Sequence, residues 1–386
     1  MKRRSFLKKS AAVGAGTLAV GAVAACSPSP VDPNSGSVKS AAGSAQTQPT
    51  LELRMVTTWP KNFPGLGTRA VAYAEDIEKA TNGRIKIRVY AAEELVPALQ
   101  AFDAVSQGNA DIYHGPDYYW QGKHPMYNFF GAVPFGLTAT EMTQWLQYGG
   151  GQELWDELSA RFNVKPMLCN ATGMQMGGWF NKEINSIEDF KGLKMRIPAL
   201  GGEILKRLGA TPVTLSGGEI FLSLSQGNID ATEWIGPWND LAFGFHQVAE
   251  YYYTSAYHEP NSPVCAGWNL DVWNSLSDSE RVIVEAMAQK HYALSLAEFN
   301  ARNAGALRQL VDEHGVKTRQ FPLEVMKALA DVAADVAADI GRTDEISKRI
   351  YDSYMATLAE VKEWGGIADE PYMAARRLSD KFGQAL

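Results

Sequence analysis

Ser225 to Trp238 reads SQGNIDATEWIGPW. An apolar helical pattern stops at Gly227 and a short strand pattern follows over Ile229–Trp234. A carboxylate (Glu233), an indole (Trp234) and a Gly-Pro turn then come in quick succession. The stretch has an echo upstream, where Ser106 to Trp120 reads SQGNADIYHGPDYYW. Each copy runs helix, glycine, strand, Gly-Pro, aromatics. One pair of copies is no solenoid, but self-similarity of this kind predicts two lobes built on similar α/β units.

The flanks of the first copy agree. Leu51–Thr57 reads as a strand, and Leu66, Ala70, Ala74 and Ile77 make a helical stripe that ends at Gly83. Ile85, Ile87 and Val89 alternate as a strand. Pro97 opens a helix that runs through Phe102 and Val105 to Gly108, and Ala110–Tyr113 is the next strand. This β-α-β-α-β order is the unit of a parallel sheet, in which ligand groups sit beyond the carboxyl ends of the strands. Those ends fall at Thr58-Trp59, Glu93-Glu94 and His114–Trp120. Helices over Ala139–Tyr148 and Glu153–Phe162 follow, and a strand over Val164–Asn170 leads into a second lobe.

Around the second copy the pattern is again α/β. Gln175–Phe180, Leu193–Ile197 and Thr211–Thr214 read as strands, and Gly201–Leu208 and Gly218–Ser225 as helices. Ser186 with Asp189, and Ser277 with Glu280, have the layout of capping boxes. Beyond Ser277 the chain is helical, with further helices from Pro322 to Ile340, from Asp344 to about Trp364 and over Tyr372–Phe382.

The chain has 386 residues, enough for two domains with large cores. Its formal net charge is −7, although Lys2, Arg3, Arg4, Lys8 and Lys9 crowd its start, so the remainder is more acidic still. That balance argues against nucleic acid as a partner. The start has the layout of an export signal, and its Arg-Arg-Ser-Phe-Leu-Lys string resembles a twin-arginine signal. Val23-Ala24-Ala25-Cys26 reads either as a lipoprotein box with Cys26 acylated or as a plain cleavage site. Either way the mature protein is extracytoplasmic. Residues 1–26 are assigned to the signal and 27–50, rich in Ser, Pro, Gly and Ala, to a flexible tether. The first lobe is assigned to 51–165, with later segments crossing back, the second to 166–275 and a helical region to 276–386. Cys169 and Cys265 remain in the body, where two buried thiols and a disulfide both fit.

Three groups of residues bear on chemistry. Arg196 ends an apolar strand and precedes Ile197-Pro198, where its planar fork suits a carboxylate. Glu233 and Glu259 stand in aromatic company, where a carboxylate must be paired, protonated or metal-bound. With an amide such as Gln175 they make an oxygen-rich site for a hard cation. Paired carboxylates also suit glycoside hydrolysis, so an exported hydrolase using Glu233 and Glu259 is the rival reading. Arg196 has no part in that chemistry. There is no G-x-S-x-G, no phosphate loop and no H-E-x-x-H, and His114, His124, His246 and His258 read as structural. Trp59, Tyr118, Tyr119, Trp234 and Trp238 fill a core or line a pocket.

Three stretches carry a resemblance. Ala171 to Phe180 (ATGMQMGGWF), Phe190 to Pro198 (FKGLKMRIP) and Gly227 to Trp234 (GNIDATEW) resemble the solute receptors of tripartite ATP-independent periplasmic (TRAP) transporters, above all those that bind 2-oxo acids with a cation. The likeness covers about residues 51–370. It implies a periplasmic α/β protein that is not an enzyme, with a two-lobed periplasmic-binding-protein fold, mixed sheets, lobe-spanning helices and a long C-terminal helical tail. It implies delivery of a small 2-oxo or 2-hydroxy monocarboxylate to the transporter's membrane subunits. By the same resemblance Arg196 clamps the ligand carboxylate. A sodium or calcium ion is held by Glu233, the Trp234 carbonyl, Glu259 and Gln175, the last also touching the ligand. Tyr119 contacts the ligand, with Tyr118 as the alternative because neighbouring strand positions face opposite ways. The C-terminal helices imply a homodimer.

Overall fold

The structure, a computed structural model, describes residues 49–254 and 256–379. The expectations for the signal, for Cys26 and for most of the tether lie outside these residues, whereas the last helix, expected over Tyr372–Phe382, runs instead over Asp369–Ala375 and ends in a turn. In chain order the described strands are β1 (Leu51–Thr57), β2 (Ile85–Tyr90), β3 (Ile112–Gly115), β4 (Val164–Lys165), β5 (Leu168–Ala171) and β6 (Gly178–Phe180). They continue with β7 (Lys194–Arg196), β8 (Thr211–Val213), β9 (Ala231–Thr232), β10 (Tyr251–Thr254), β11 (Pro263–Asn269) and β12 (Lys317–Gln320).

They form two mixed sheets. The first has the order β2-β1-β3-β11-β4, with β5 also on β11, and the second β12-β10-β6-β9-β7-β8. β1 runs parallel to β2 and β3, as the β-α-β-α-β pattern requires. β7 runs parallel to β8 and β9, so the two copies of the repeated stretch each end a parallel strand, one in each sheet. The strand expected to lead into the second lobe pairs instead within the first sheet, through β4 and β5 on antiparallel β11.

β11 is the main departure from the sequence reading. All seven of its residues are buried. A strand covered on both faces loses the polar alternation that marks a half-exposed one. Gly267 of β11 lies opposite Tyr113, and a Cβ there would fall 2.1 Å from the Tyr113 ring, so only glycine admits that ring.

Helices close the molecule. The helix Asp278–Asp312, opened by the Ser277–Glu280 capping box, packs on β5 and on the helix Gly67–Ala80 at one end of its reach and on the helix Pro237–Phe243 at the other. It therefore joins both sheets. The helix Leu323–Gly341 packs on the helix Ala199–Arg207, and Glu345–Ile367 packs on Ala139–Tyr148 and Gly151–Ala160. Buried Tyr354 fixes that last contact, its hydroxyl accepting from the Leu137 amide at 2.8 Å. Cys169 and Cys265 are both buried and free, so the thiol reading holds and no disulfide joins them. No helix of the described residues is long and apolar enough to cross a membrane.

Candidate functional site

The two strand ends that carry the repeated stretch meet at Arg196. This residue closes β7, and its side chain is 1% exposed. Nε donates to the Leu215 carbonyl at 3.2 Å, Nη1 to the Glu233 carbonyl at 3.0 Å and to the Glu233 carboxylate, and Nη2 to the Tyr119 hydroxyl at 3.2 Å. The guanidinium also lies 5.2 Å from the Trp234 ring centre. Burial alone would lower its pKa, but Glu233, Tyr119, Tyr118 and Glu259 more than offset that and keep it charged.

Glu233 follows β9, and its amide donates to the Arg196 carbonyl at 3.2 Å, so strand pairing itself sets the two residues side by side. Glu259 lies on the segment before β11 and is 2% exposed. It accepts from the Gln175 amide nitrogen at 2.8 Å and from the Tyr118 hydroxyl at 3.4 Å. Burial, and then the charge of Glu233, push its carboxyl well above the ordinary carboxylate range. Burial likewise raises the Tyr119 hydroxyl to about 12, so it stays protonated and able to donate.

Gln175 completes the cluster. Its Oε1 is buried and takes no hydrogen bond. An orphaned acceptor beside two buried carboxylates is an expensive arrangement unless something positive completes it. Two carboxylates and an amide oxygen are the donor set of a hard cation, so these residues fit one. A cation there would also let Glu259 ionise.

The sequence-predicted residues Arg196, Tyr119, Glu233, Trp234, Glu259 and Gln175 are thus brought to one place. Tyr118 and Tyr119 do not alternate as strand neighbours would. Residues Asp117–Trp120 form a one-turn 3-10 helix, and both rings face the site. Tyr119 reaches Arg196, while Tyr118 reaches Glu259 and, at 3.1 Å, Ser262. His258, read as structural, borders the site: its Nε2 stands 3.3 Å from Glu233 Oε2 without hydrogen-bonding geometry. His114 has the structural role expected, its Nδ1 accepting from Trp59 Nε1 at 2.8 Å, and burial lowers its pKa to about 3.

The space beside Arg196 is small, about 10 Å³, and is lined by Tyr118, Tyr119 and Arg196 together with apolar Trp59, Leu66 and Val264. Such a gap holds roughly one water. Any larger ligand enters only when the strand ends part, as in hinged closure. A surface cleft of about 1000 Å³ between the helices Ala139–Tyr148 and Asp278–Asp312 is larger, but the buried charges do not converge there.

One carboxyl beside the site has a consequence for stability. Asp117 is fully buried, and burial raises its pKa to about 7 despite hydrogen bonds from Tyr113, Trp155 and Cys265. A raised acid favours folding while it is protonated. That contribution is whole below the unfolded value near 4 and is lost as pH rises through about 7. Between pH 5 and 8 the protein is therefore expected to lose roughly 3 kcal/mol through Asp117. Melting temperatures at the two pH values should show a smaller drop for Asp117→Asn than for the wild type. An equal drop would show that Asp117 does not titrate in this range.

The profile of the bacterial extracellular solute-binding protein family 7 matches residues 55–344. A monocarboxylate 2-oxoacid-binding periplasmic protein from Nostoc sp. strain PCC 7120 is 38% identical over 324 residues, 84% of this chain and 88% of that one. A TRAP periplasmic solute-binding protein from Pseudoalteromonas atlantica, solved with bound sodium and pyruvate, superposes with a TM-score of 0.82 at 36% identity, covering 84% of this chain and 99% of that one. A TRAP transporter solute-binding protein from Bordetella bronchiseptica, solved as a mixed-occupancy dimer with calcium and picolinate, gives a TM-score of 0.83 at 33% identity, covering 85% and 98%. Membership of a family of binding proteins sets the hydrolase reading aside. With two mixed sheets joined by long helices and a buried charge cluster where their strand ends meet, the chain belongs to the bacterial extracellular solute-binding proteins of family 7.

Proposed function

We propose that this protein captures a small 2-oxo or 2-hydroxy monocarboxylate, together with a sodium or calcium ion, and delivers it to the membrane subunits of a TRAP transporter. The observation that carries this reading is the convergence of one buried guanidinium, two buried carboxylates and an unpartnered amide oxygen. Arg196 and Tyr119 take the ligand carboxylate. Glu233, Glu259, Gln175 Oε1 and the Trp234 carbonyl hold the cation, which the ligand's carboxylate and adjacent oxygen chelate in turn. The charges then balance within a site that excludes water. The apolar lining from Trp59, Leu66 and Val264 suits a short side chain. Support comes from the pyruvate and sodium held by the Pseudoalteromonas relative and from the 2-oxoacid binding of the Nostoc relative.

The basic, twin-arginine-like start is taken to export the chain to the periplasm, with acylation of Cys26 as the tether. Trp364, Ile367 and Tyr372 are 67%, 71% and 64% exposed near the C-terminus, apolar side chains suited to a second copy in a homodimer. Mass spectrometry of ligand released from the purified protein, with metal analysis of the same sample, tests the reading. It should find a 2-oxo or 2-hydroxy acid and one sodium or calcium ion per chain. A sugar or an amine as the released ligand would overturn it.

A further inference from the structure

Both copies of the repeated stretch pass from a strand end through Gly-Pro into a short helix. In both, a buried aspartate on that helix meets the same two donors. Asp117 accepts from the Tyr113 hydroxyl at 2.9 Å on Oδ1 and from Trp155 Nε1 at 2.7 Å on Oδ2. Asp240 accepts from the Tyr252 hydroxyl at 2.7 Å and from Trp179 Nε1 at 2.9 Å, both on Oδ2. The two are 0% and 1% exposed.

They differ in their third partner: for Asp117 it is the Cys265 thiol, which can turn to accept, and for Asp240 it is a backbone amide, which cannot. Asp240 uses its second oxygen, Oδ1, to accept from the backbone amide of Ile235 at 3.2 Å. Ile235 follows Glu233-Trp234 directly, and its carbonyl accepts from the Met176 amide at 2.8 Å. One carboxylate therefore ties together the segment bearing Glu233 and Trp234 and the segment bearing Gln175. We infer that Asp240 is a positioning residue for the ligand site, required because both of its oxygens must accept.

A hydroxyl can turn to accept, but an indole N–H and a backbone N–H can only donate. An asparagine at position 117 can accept from Trp155 and donate to the Tyr113 oxygen. At position 240 no orientation of an asparagine works: its NH₂ faces either the Ile235 amide or the Trp179 indole. A buried donor is left unpaired, and the Ile235 turn shifts.

This inference rests on the reading of the site as a carboxylate and cation receptor, and its test separates the two. Pyruvate is titrated into wild type, Asp240→Asn, Asp117→Asn, Trp179→Phe and the double variant D240N/W179F, with calcium present. Asp240→Asn should bind about tenfold more weakly, and Asp117→Asn within about twofold of wild type. The double variant lacks the clashing indole donor and should recover to within about threefold of Trp179→Phe. A residue that served folding alone would lose stability in the double variant and regain no affinity. Equal effects of the two aspartate changes, or no recovery, would overturn the inference. Should Asp240→Asn not fold, the double variant against Trp179→Phe carries the test: near-equal binding supports it and lost binding overturns it. Hydrogen exchange of the ligand-free proteins reads the same bond without pyruvate. The peptide bearing Ile235 should exchange faster in Asp240→Asn and at the wild-type rate in Asp117→Asn. Wild type that bound no pyruvate would count against the receptor reading, while this exchange result would still decide the role of Asp240.

Discussion

Arg196→Ala is expected to abolish binding of pyruvate in calorimetric titration while the far-ultraviolet circular dichroism stays that of the wild type. The guanidinium is the one cation at the centre of the site, with Glu233 on one side and Tyr119 on the other. Removing it takes away the fork that would receive the ligand carboxylate and leaves Glu233 buried without its charge partner. Breaking a buried pair in this way costs about 3–5 kcal/mol, so a lower melting temperature should accompany the loss. Arg196→Lys separates the two effects. It keeps a charge beside Glu233 but not the planar fork, so stability should largely return while affinity stays at least about tenfold down. Wild-type affinity in Arg196→Ala would contradict the role given to this residue.

Glu259→Gln should act in the opposite way on stability. Burial already favours the neutral form of this carboxyl, so a neutral isostere fits the ligand-free protein and its melting temperature should stay level or rise. The proposed cation, by contrast, would lose one of two charged ligands. Calcium affinity should fall on the order of 100-fold, and pyruvate affinity should fall with it because the two ligands share charge. A binding defect together with unimpaired stability would mark Glu259 as a residue kept for the ligand. Calcium and pyruvate binding equal to wild type would remove it from the site.

Much of this was legible from local pattern. β1 and β2 alternate or run apolar over their full length, and the Ser186–Asp189 and Ser277–Glu280 capping boxes form as their spacing predicts. Arg196 was visible because a charge at the end of an apolar strand is costly without a purpose. What stayed hidden depends on contacts between distant parts of the chain. β11 is a continuous buried run, and the central place it takes between β3 and β4 is set by pairing that no local period records. β12, of Lys, Thr, Arg and Gln, is an edge strand with no apolar face to betray it. Tyr118 could not be placed because a single 3-10 turn replaces the expected strand. Asp240 gave no signal at all: its side-chain donors come from β6 and β10, and nothing in the local sequence tells which indole will meet which carboxylate.

Ligand and cation are proposed to bind as one unit at Arg196, Glu233, Glu259 and Gln175. The most direct measurement is titration of pyruvate into protein freed of bound ligand and metal by denaturation and refolding. One titration is run with calcium or sodium present and the other after exhaustive chelation in a buffer of a large organic cation. Tight binding with the metal ion and binding weakened at least about 100-fold without it is the predicted result. Equal affinity in the two buffers would contradict the account.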